Sequence, residues 1–186
     1  MKRLFDLLLT LPAVVLLSPV LLLAAAMIRL TSPGPAVHWS RRVGRDNHIF
    51  LMPKFRTMRA DTPQVPTHLL TDPGRWVTPI GRILRRTSLD ELPQLWSVLC
   101  GDMSLVGPRP ALFNQDDLVA LRTAVNVHKL RPGVTGWAQV NGRDELPIPV
   151  KVGFDDEYRQ RHSLLMDIHI IFETLRQAVR SKGVSH

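Results

Sequence analysis

A chain of 186 residues has room for one domain with a modest hydrophobic core. Its 24 Lys and Arg against 16 Asp and Glu give a formal net charge of +8, which points to anionic partners such as acidic lipid, nucleic acid or phosphorylated substrates. An aromatic content of 6% argues against a stacking platform for single-stranded nucleic acid, a single cysteine forbids an intrachain disulfide, and 7 histidines without metal-ligand spacing argue against a zinc site.

The run from Leu7 to Ile28 is uncharged and apolar, preceded by Lys2 and Arg3 and closed by Arg29. As a helix rising 1.5 Å per residue it reaches about 33 Å, enough to cross a bilayer core. A cleaved signal peptide fits poorly, because the run is long and Arg29-Leu30-Thr31-Ser32-Pro33 offers no small-residue cleavage site. Ser18-Pro19 falls in mid-run, where proline removes a backbone donor and clashes with the preceding turn. A kinked spanning helix tolerates this if a hydroxyl satisfies the freed carbonyl. Yet basic residues stand at both ends, with Arg29, Arg41, Arg42 and Arg45 following the run, and positive charge favours the cytoplasmic side. A helix broken at Ser18-Pro19 and returning to its own side is slightly favoured over one that spans.

Beyond Pro33-Gly34-Pro35, residues 36–43 and 48–56 flank the turn-rich Gly44-Arg45-Asp46-Asn47 and predict a β-hairpin. Residues 61–75, with Pro63, Pro66, Pro73 and Gly74, predict a loop. A short helix follows over Ile80 to Arg86, with Ile80, Ile83 and Leu84 on one face, and Leu92, Leu95, Trp96 and Leu99 continue at helical spacing to Gly101. Val106-Gly107-Pro108-Arg109-Pro110 must be irregular, Ala111 to Lys129 is expected to be helical, and Arg131 to Arg143 is glycine-punctuated with a short strand expected at Trp137 to Val140. Leu164, Ile168, Ile171, Phe172, Leu175 and Val179 define a last amphipathic helix. Cys100 has no base near it in sequence and is expected to be a small packing residue. The amphipathic helices either pack around an ordinary core or lie in a bilayer interface.

The adjacent acids Asp90 and Glu91 stand out in so basic a chain. Two structural readings exist: Ser88-Leu89-Asp90-Glu91 has the form of a capping box, and Asp90 as N-cap would put Pro93 where no intrahelical donor is needed. The chemical reading starts from the same place. A carboxylate beside arginines is kept ionised and can attack phosphorus, provided the phosphate charge is neutralised. Arg, Lys and Mg2+ do that, the ion being held by one or two carboxylates plus phosphate oxygens. Lys54, Arg56, Arg75, Arg85, Arg86 and Arg109 are candidates, all outside the apolar run. From the residues alone, capping and catalysis are evenly balanced.

The run Gly81-Arg82-Ile83-Leu84-Arg85-Arg86-Thr87-Ser88-Leu89-Asp90-Glu91-Leu92-Pro93-Gln94-Leu95-Trp96, continuing to Gly101-Asp102-Met103-Ser104-Leu105-Val106-Gly107-Pro108-Arg109-Pro110, resembles the core signature of the bacterial sugar transferases, the monotopic polyprenyl-phosphate phosphoglycosyl transferases. Lys54-Phe55-Arg56-Thr57-Met58 and Arg131-Pro132-Gly133-Val134-Thr135-Gly136 resemble the family's other two motifs, and the apolar N-terminus resembles its re-entrant helix. The likeness covers nearly the whole chain. Ser97, Cys100 and the segment after Tyr158 depart from the family pattern, which bears on sugar-specific contacts.

The resemblance implies an α+β, mostly helical fold, with 1–30 as a re-entrant anchor and 31–186 as a cytoplasmic catalytic domain at the membrane interface. It implies a bacterial inner-membrane enzyme that moves a phosphosugar from a UDP-sugar to polyprenyl phosphate, releasing UMP. Asp90 would be the nucleophile and help hold Mg2+, and Glu91 would orient groups or handle protons. Lys54, Arg56, Arg85 and Arg109 would bind phosphate, with Asp155 and Tyr158 as further substrate-binding positions. Anionic lipids are expected partners, nucleic acid is not, and an interfacial protein of this kind can dimerise. A membrane phosphohydrolase and a non-catalytic basic adaptor are the competing readings.

Overall fold

A computed structural model of the chain describes residues 1–62, 73–142 and 146–180. The first element, α1 (Lys2–Thr31), is one helix of 30 residues and carries both Pro12 and Pro19 inside it. The break expected at Ser18-Pro19 is therefore corrected: helical structure continues through it. The reason is local. Pro19 offers no N–H to the Val15 carbonyl, and the Ser18 hydroxyl donates to that oxygen instead, at 2.7 Å.

Both ends of α1 dock onto the rest of the chain, while its middle does not. At the start, the Arg3 guanidinium donates to the Val98 and Leu99 carbonyls, and the buried Asp6 carboxylate accepts from the Ser104 hydroxyl and the Leu105 N–H. Lys2 reaches Asp167 at 2.6 Å. At the far end, Ala24 and Ile28 are buried with Phe55 and Leu84. Between them Leu11, Val15 and Leu16 remain exposed.

The expected hairpin forms from β1 (Val37–Val43) and β2 (Ile49–Phe55), antiparallel with Val37 opposite Phe55. Asp46 and Asn47 take the left-handed conformation that its turn demands, as short polar side chains can. The short helices α2 (Pro73–Trp76) and α3 (Pro79–Arg86) follow, the latter capped by the Thr78 hydroxyl accepting from the Gly81 N–H. A 3-10 turn, Leu89–Gln94, leads into α4 (Leu95–Cys100), which Gly101 ends in a left-handed conformation. Leu84 points into the core, but Ile83 is exposed, so the apolar face of α3 is only partly internal. Cys100 is exposed rather than packed.

Next come β3 (Ser104–Val106), β4 (Ala111–Leu112) and α5 (Asp116–Ala124), then β5 (Gly133–Thr135), α6 (Trp137–Gly142), α7 (Ile148–Arg161) and α8 (Leu164–Arg180). β4 adds to β1, giving the sheet order β2-β1-β4, and β3 pairs with β5 in parallel. Three expectations are corrected here. Residues 111–112 are strand rather than helix because they complete the hairpin's edge, and the helical stretch divides at left-handed Asn126 before a 3-10 turn, Val127–Lys129. Trp137 to Val140 is helix, and the strand lies one turn earlier, where Gly133 and Gly136 meet another backbone. The helix α7 had no counterpart in the sequence reading; it packs through Val152 against Ala111 and Leu118. Pro63, Pro66 and Arg143 lie outside the described residues.

The β3–β5 pairing depends on glycine. A Cβ on Gly133 would stand 2.1 Å from the Gly107 nitrogen, a backbone atom that no rotamer change can move. Gly133→Ala is expected to destabilise the fold by at least about 2 kcal/mol, as forced overpacking does, and a thermal melt in detergent reads this as a clearly lowered midpoint.

Candidate active site

The dyad sits where α3 hands over to α4. Ser88 takes a left-handed φ of 55° that ends the α3 turn, and its side chain caps nothing. Asp90 and Glu91 occupy the 3-10 turn rather than the first turn of an α-helix, so both capping readings are corrected. Pro93 lies inside the same turn, where an α-helix would lack its N–H. The neighbouring side chains Ile83 and Trp96 are exposed, so apolar surface flanks the acids along the chain on both sides.

The two acids are in opposite situations. Lys54 donates to Glu91 Oε1 at 2.7 Å and Arg109 Nη2 donates to the same oxygen at 2.9 Å. Burial works against the Glu91 charge, yet Arg109 and Lys54 outweigh it and hold the carboxyl far below the usual glutamate range. Lys54, in turn, is drawn below the usual lysine range by burial and by the charges of Arg109 and Arg42, against the pull of Glu91. Among the described residues no side chain donates a hydrogen bond to the Asp90 carboxylate. Burial first, and then the charge on Glu91, push its pKa up, against the pull of Lys54 and Arg85. Glu91 is clamped by two cations, while the Asp90 carboxylate meets only a local backbone hydrogen bond.

Arg85 is placed by its own Nε, which donates to Thr57 Oγ1 at 2.9 Å, while its charge acts on Asp90. Gly81 makes this possible, because a Cβ there would meet the Thr57 carbonyl at 2.0 Å. The Lys54–Met58 segment and α3 are thereby fastened together. A small basic cleft beside the dyad is lined by Arg42, Met52, Lys54, Gln94, Arg109 and Pro110.

Of the residues singled out in the sequence, Asp90, Glu91, Lys54, Arg85 and Arg109 come together. The others stand elsewhere. Arg56 is buried and donates to the carbonyls of Ser32 and Pro33 just past α1, so two of its guanidinium nitrogens hold the end of that helix. Asp155 is buried on α7 and receives Arg122 Nη2 at 2.6 Å. Tyr158 donates to Asp167 Oδ1 at 2.6 Å beside Lys2, tying α7 and α8 to the start of α1. Burial and then that bond to Asp167 drive its phenol above the ordinary tyrosine range. Arg75 and Arg86 are exposed. Sequence reasoning did not single out Arg122, which looked like one more polar residue of a helix, and counted Arg42 only among the positive charges after the apolar run.

Among the described residues no three His, Cys, Asp or Glu side chains gather into a cage for a metal ion. The arrangement still fits Mg2+ held in the manner of phosphoryl-transfer sites, by one carboxylate and substrate phosphates, because no described side chain engages the Asp90 oxygens.

A carboxylate that no described side chain engages, three cations beside it and a long apolar helix are what the chain brings together here. The chain belongs to the bacterial sugar transferase family, whose model matches residues 1–181. It is 36% identical over 98% of its length to the exopolysaccharide production protein ExoY of Sinorhizobium fredii, covering 87% of that protein. It is 40% identical to the UDP-glucose:undecaprenyl-phosphate glucose-1-phosphate transferase of Escherichia coli and 37% identical to the UDP-N-acetylgalactosamine-undecaprenyl-phosphate N-acetylgalactosaminephosphotransferase of Aeromonas hydrophila. It spans 41% and 44% of those two longer proteins.

Glu91→Gln strips the counter-charge from Lys54 and Arg109, and is expected to lower the melting temperature at neutral pH by roughly 4–8 °C, about 2 kcal/mol. A carboxyl held low in the folded state contributes stability above its unfolded pKa and loses it as pH falls through the folded one. The deficit of the variant should therefore shrink steadily in melts run at increasingly acidic pH.

Proposed function

We propose that this protein transfers a phosphosugar from a UDP-sugar to a polyprenyl phosphate. Asp90 attacks the sugar-bearing phosphorus, the bond from that phosphorus to the bridging oxygen breaks, and UMP leaves with the electron pair. An oxygen of the lipid phosphate then attacks the aspartyl-phosphosugar, and the Asp90–phosphorus bond breaks to restore the carboxylate. The product is a polyprenyl-diphosphate sugar. The observation that carries this reading is the division of labour in the dyad, with Glu91 locked between Lys54 and Arg109 and Asp90 left open beside them.

The geometry favours an orienting role for Glu91. A carboxyl held so far below its usual range stays ionised and is poorly suited to deliver a proton. Lys54, Arg85 and Arg109 gather charge around the donor phosphates, and Mg2+ held by Asp90 and the substrate would supply further neutralisation of the diphosphate. The names of the relatives support a UDP-sugar as donor and undecaprenyl phosphate as acceptor.

The acceptor lives in a bilayer, and the two-ended docking of α1 suits an anchor that enters and leaves by one face. Lys2, Arg3 and Asp6 at one end and Ala24 and Ile28 at the other are all held by the same cytoplasmic unit. Fastening of both ends to one body supports the reading that they lie on one side of the membrane. The exposed Ile83 and Trp96 would then bring the dyad down to the lipid surface.

Two measurements test this. Asp90→Asn is expected to reduce UMP release in a UDP-sugar panel with undecaprenyl phosphate to below about a thousandth of the wild-type rate. Its melting temperature should be unchanged or higher, since a carboxyl whose pKa is raised by folding costs stability at neutral pH. Near-normal transfer by the variant would sink the nucleophile assignment, and UMP release that needs no lipid acceptor would favour a hydrolase. In vesicles of known orientation, with Cys100 replaced by serine, Lys2→Cys and Arg29→Cys should both be labelled from the cytoplasmic face; labelling from opposite faces would mean that α1 spans.

A further inference from the structure

The segment Pro108-Arg109-Pro110 has an unusual problem of support. Two of its three residues are prolines, so it has almost no backbone donors with which to join a sheet and must be held by its carbonyls. All three carbonyls are in fact held. Gly133 N–H donates to Pro108 O at 2.9 Å, Arg122 Nη1 to Arg109 O at 2.8 Å, and Arg42 Nη1 to Pro110 O at 3.2 Å. The middle contact matters most, because it fixes the peptide of the residue whose side chain grips Glu91.

Arg122 is itself fixed. Its Nε and Nη2 both donate to Asp155 Oδ2, at 2.9 and 2.6 Å, and the residue is only 7% exposed. With those nitrogens committed and the side chain buried, it has no face to offer a substrate. We propose that Arg122, held by Asp155, is a positioning residue that sets the orientation of Arg109 for the donor diphosphate. This deepens the proposed function and rests on it, since it takes Arg109 as a phosphate ligand. It also gives Asp155 a task other than touching substrate: it orients the arginine that orients the loop. Small displacements of a phosphate ligand are costly in rate, on the order of a hundredfold for about 1 Å.

Removing Arg122 alone would bury an unpaired Asp155 and unsettle the fold, so the informative change is the pair Arg122→Met with Asp155→Leu, which replaces a buried ion pair by packed apolar groups. The effect is read as kcat/KM for the UDP-sugar and as the affinity for UDP, each in the wild-type and the Arg109→Met background, with a melt for each protein. The paired change should lower both quantities about ten- to a hundredfold in the wild-type background and less than about twofold when Arg109 is already methionine. Arg122→Lys, which keeps the charge and can keep a donor, should recover most of the loss.

A loss by the same factor in both backgrounds would overturn the inference, as it would reveal either a general structural role or a direct substrate contact by Asp155. Unchanged affinity and turnover in the wild-type background would overturn it as well. A wild-type protein that binds UDP but transfers nothing removes the proposed function, while the binding cycle still decides this inference. A wild-type protein that binds no UDP removes both.

Discussion

The site depends on a place where two backbones meet with no side chains between them. Gly107 and Gly133 approach so closely that neither could carry a Cβ, and the parallel pair β3–β5 forms across that contact. Ser104 N–H to Pro132 O, Gly107 N–H to Thr135 O and Gly133 N–H to Pro108 O, all at 2.9 Å, stitch the two segments together. The Arg131–Gly136 stretch is therefore a cradle for the proline-flanked loop. Arg109 projects from that loop to Glu91, and Glu91 in turn holds Lys54. One glycine contact thus sets the position of a cation two elements away.

The second constraint is the fastening of α1. Polar residues near its start are used for contact with the rest of the chain. Asp6 is buried and satisfied by Ser104 and Leu105, and Lys2 joins Asp167 and Tyr158. Buried charges persist only when partnered, so these contacts mark a specific docking surface at a helix otherwise suited to lipid. Arg56 does the same at the other end through the Ser32 and Pro33 carbonyls. Side chains that a motif search assigns to substrate are here occupied in holding an anchor to its domain.

Much of this was legible in the sequence, and the part that was not has a physical cause. The hairpin, α3 and α8 follow from local patterns: alternation about a polar turn, and apolar residues at helical spacing. Asp90, Glu91, Lys54, Arg85 and Arg109 were singled out through the motifs they share with the family, and the fold brings them together. The break expected at Ser18-Pro19 failed for a local reason, the Ser18 hydroxyl, and most of the other failures were tertiary. Ala111 and Leu112 are strand only because β1 offers an edge, and Trp137 begins a helix because the glycines before it are used for contact. Arg122 could not be distinguished from any other polar residue of α5, since its meaning lies in a carbonyl 13 residues away and a carboxylate 33 residues away. The helix α7, with a weak apolar pattern of its own, owes its existence to what it packs against.

The bond from Lys2 to Asp167 joins residues separated by 165 positions, nearly the whole chain. Contacts at such separation close a very long loop, whose entropy must be met before they contribute. Lys2 leaves the ribosome long before Asp167 and Tyr158, so the apolar helix must wait without its docking partners while the rest is made. Completion of the fold thereby waits on the synthesis of α7 and α8, which supply the groups that hold the start of α1.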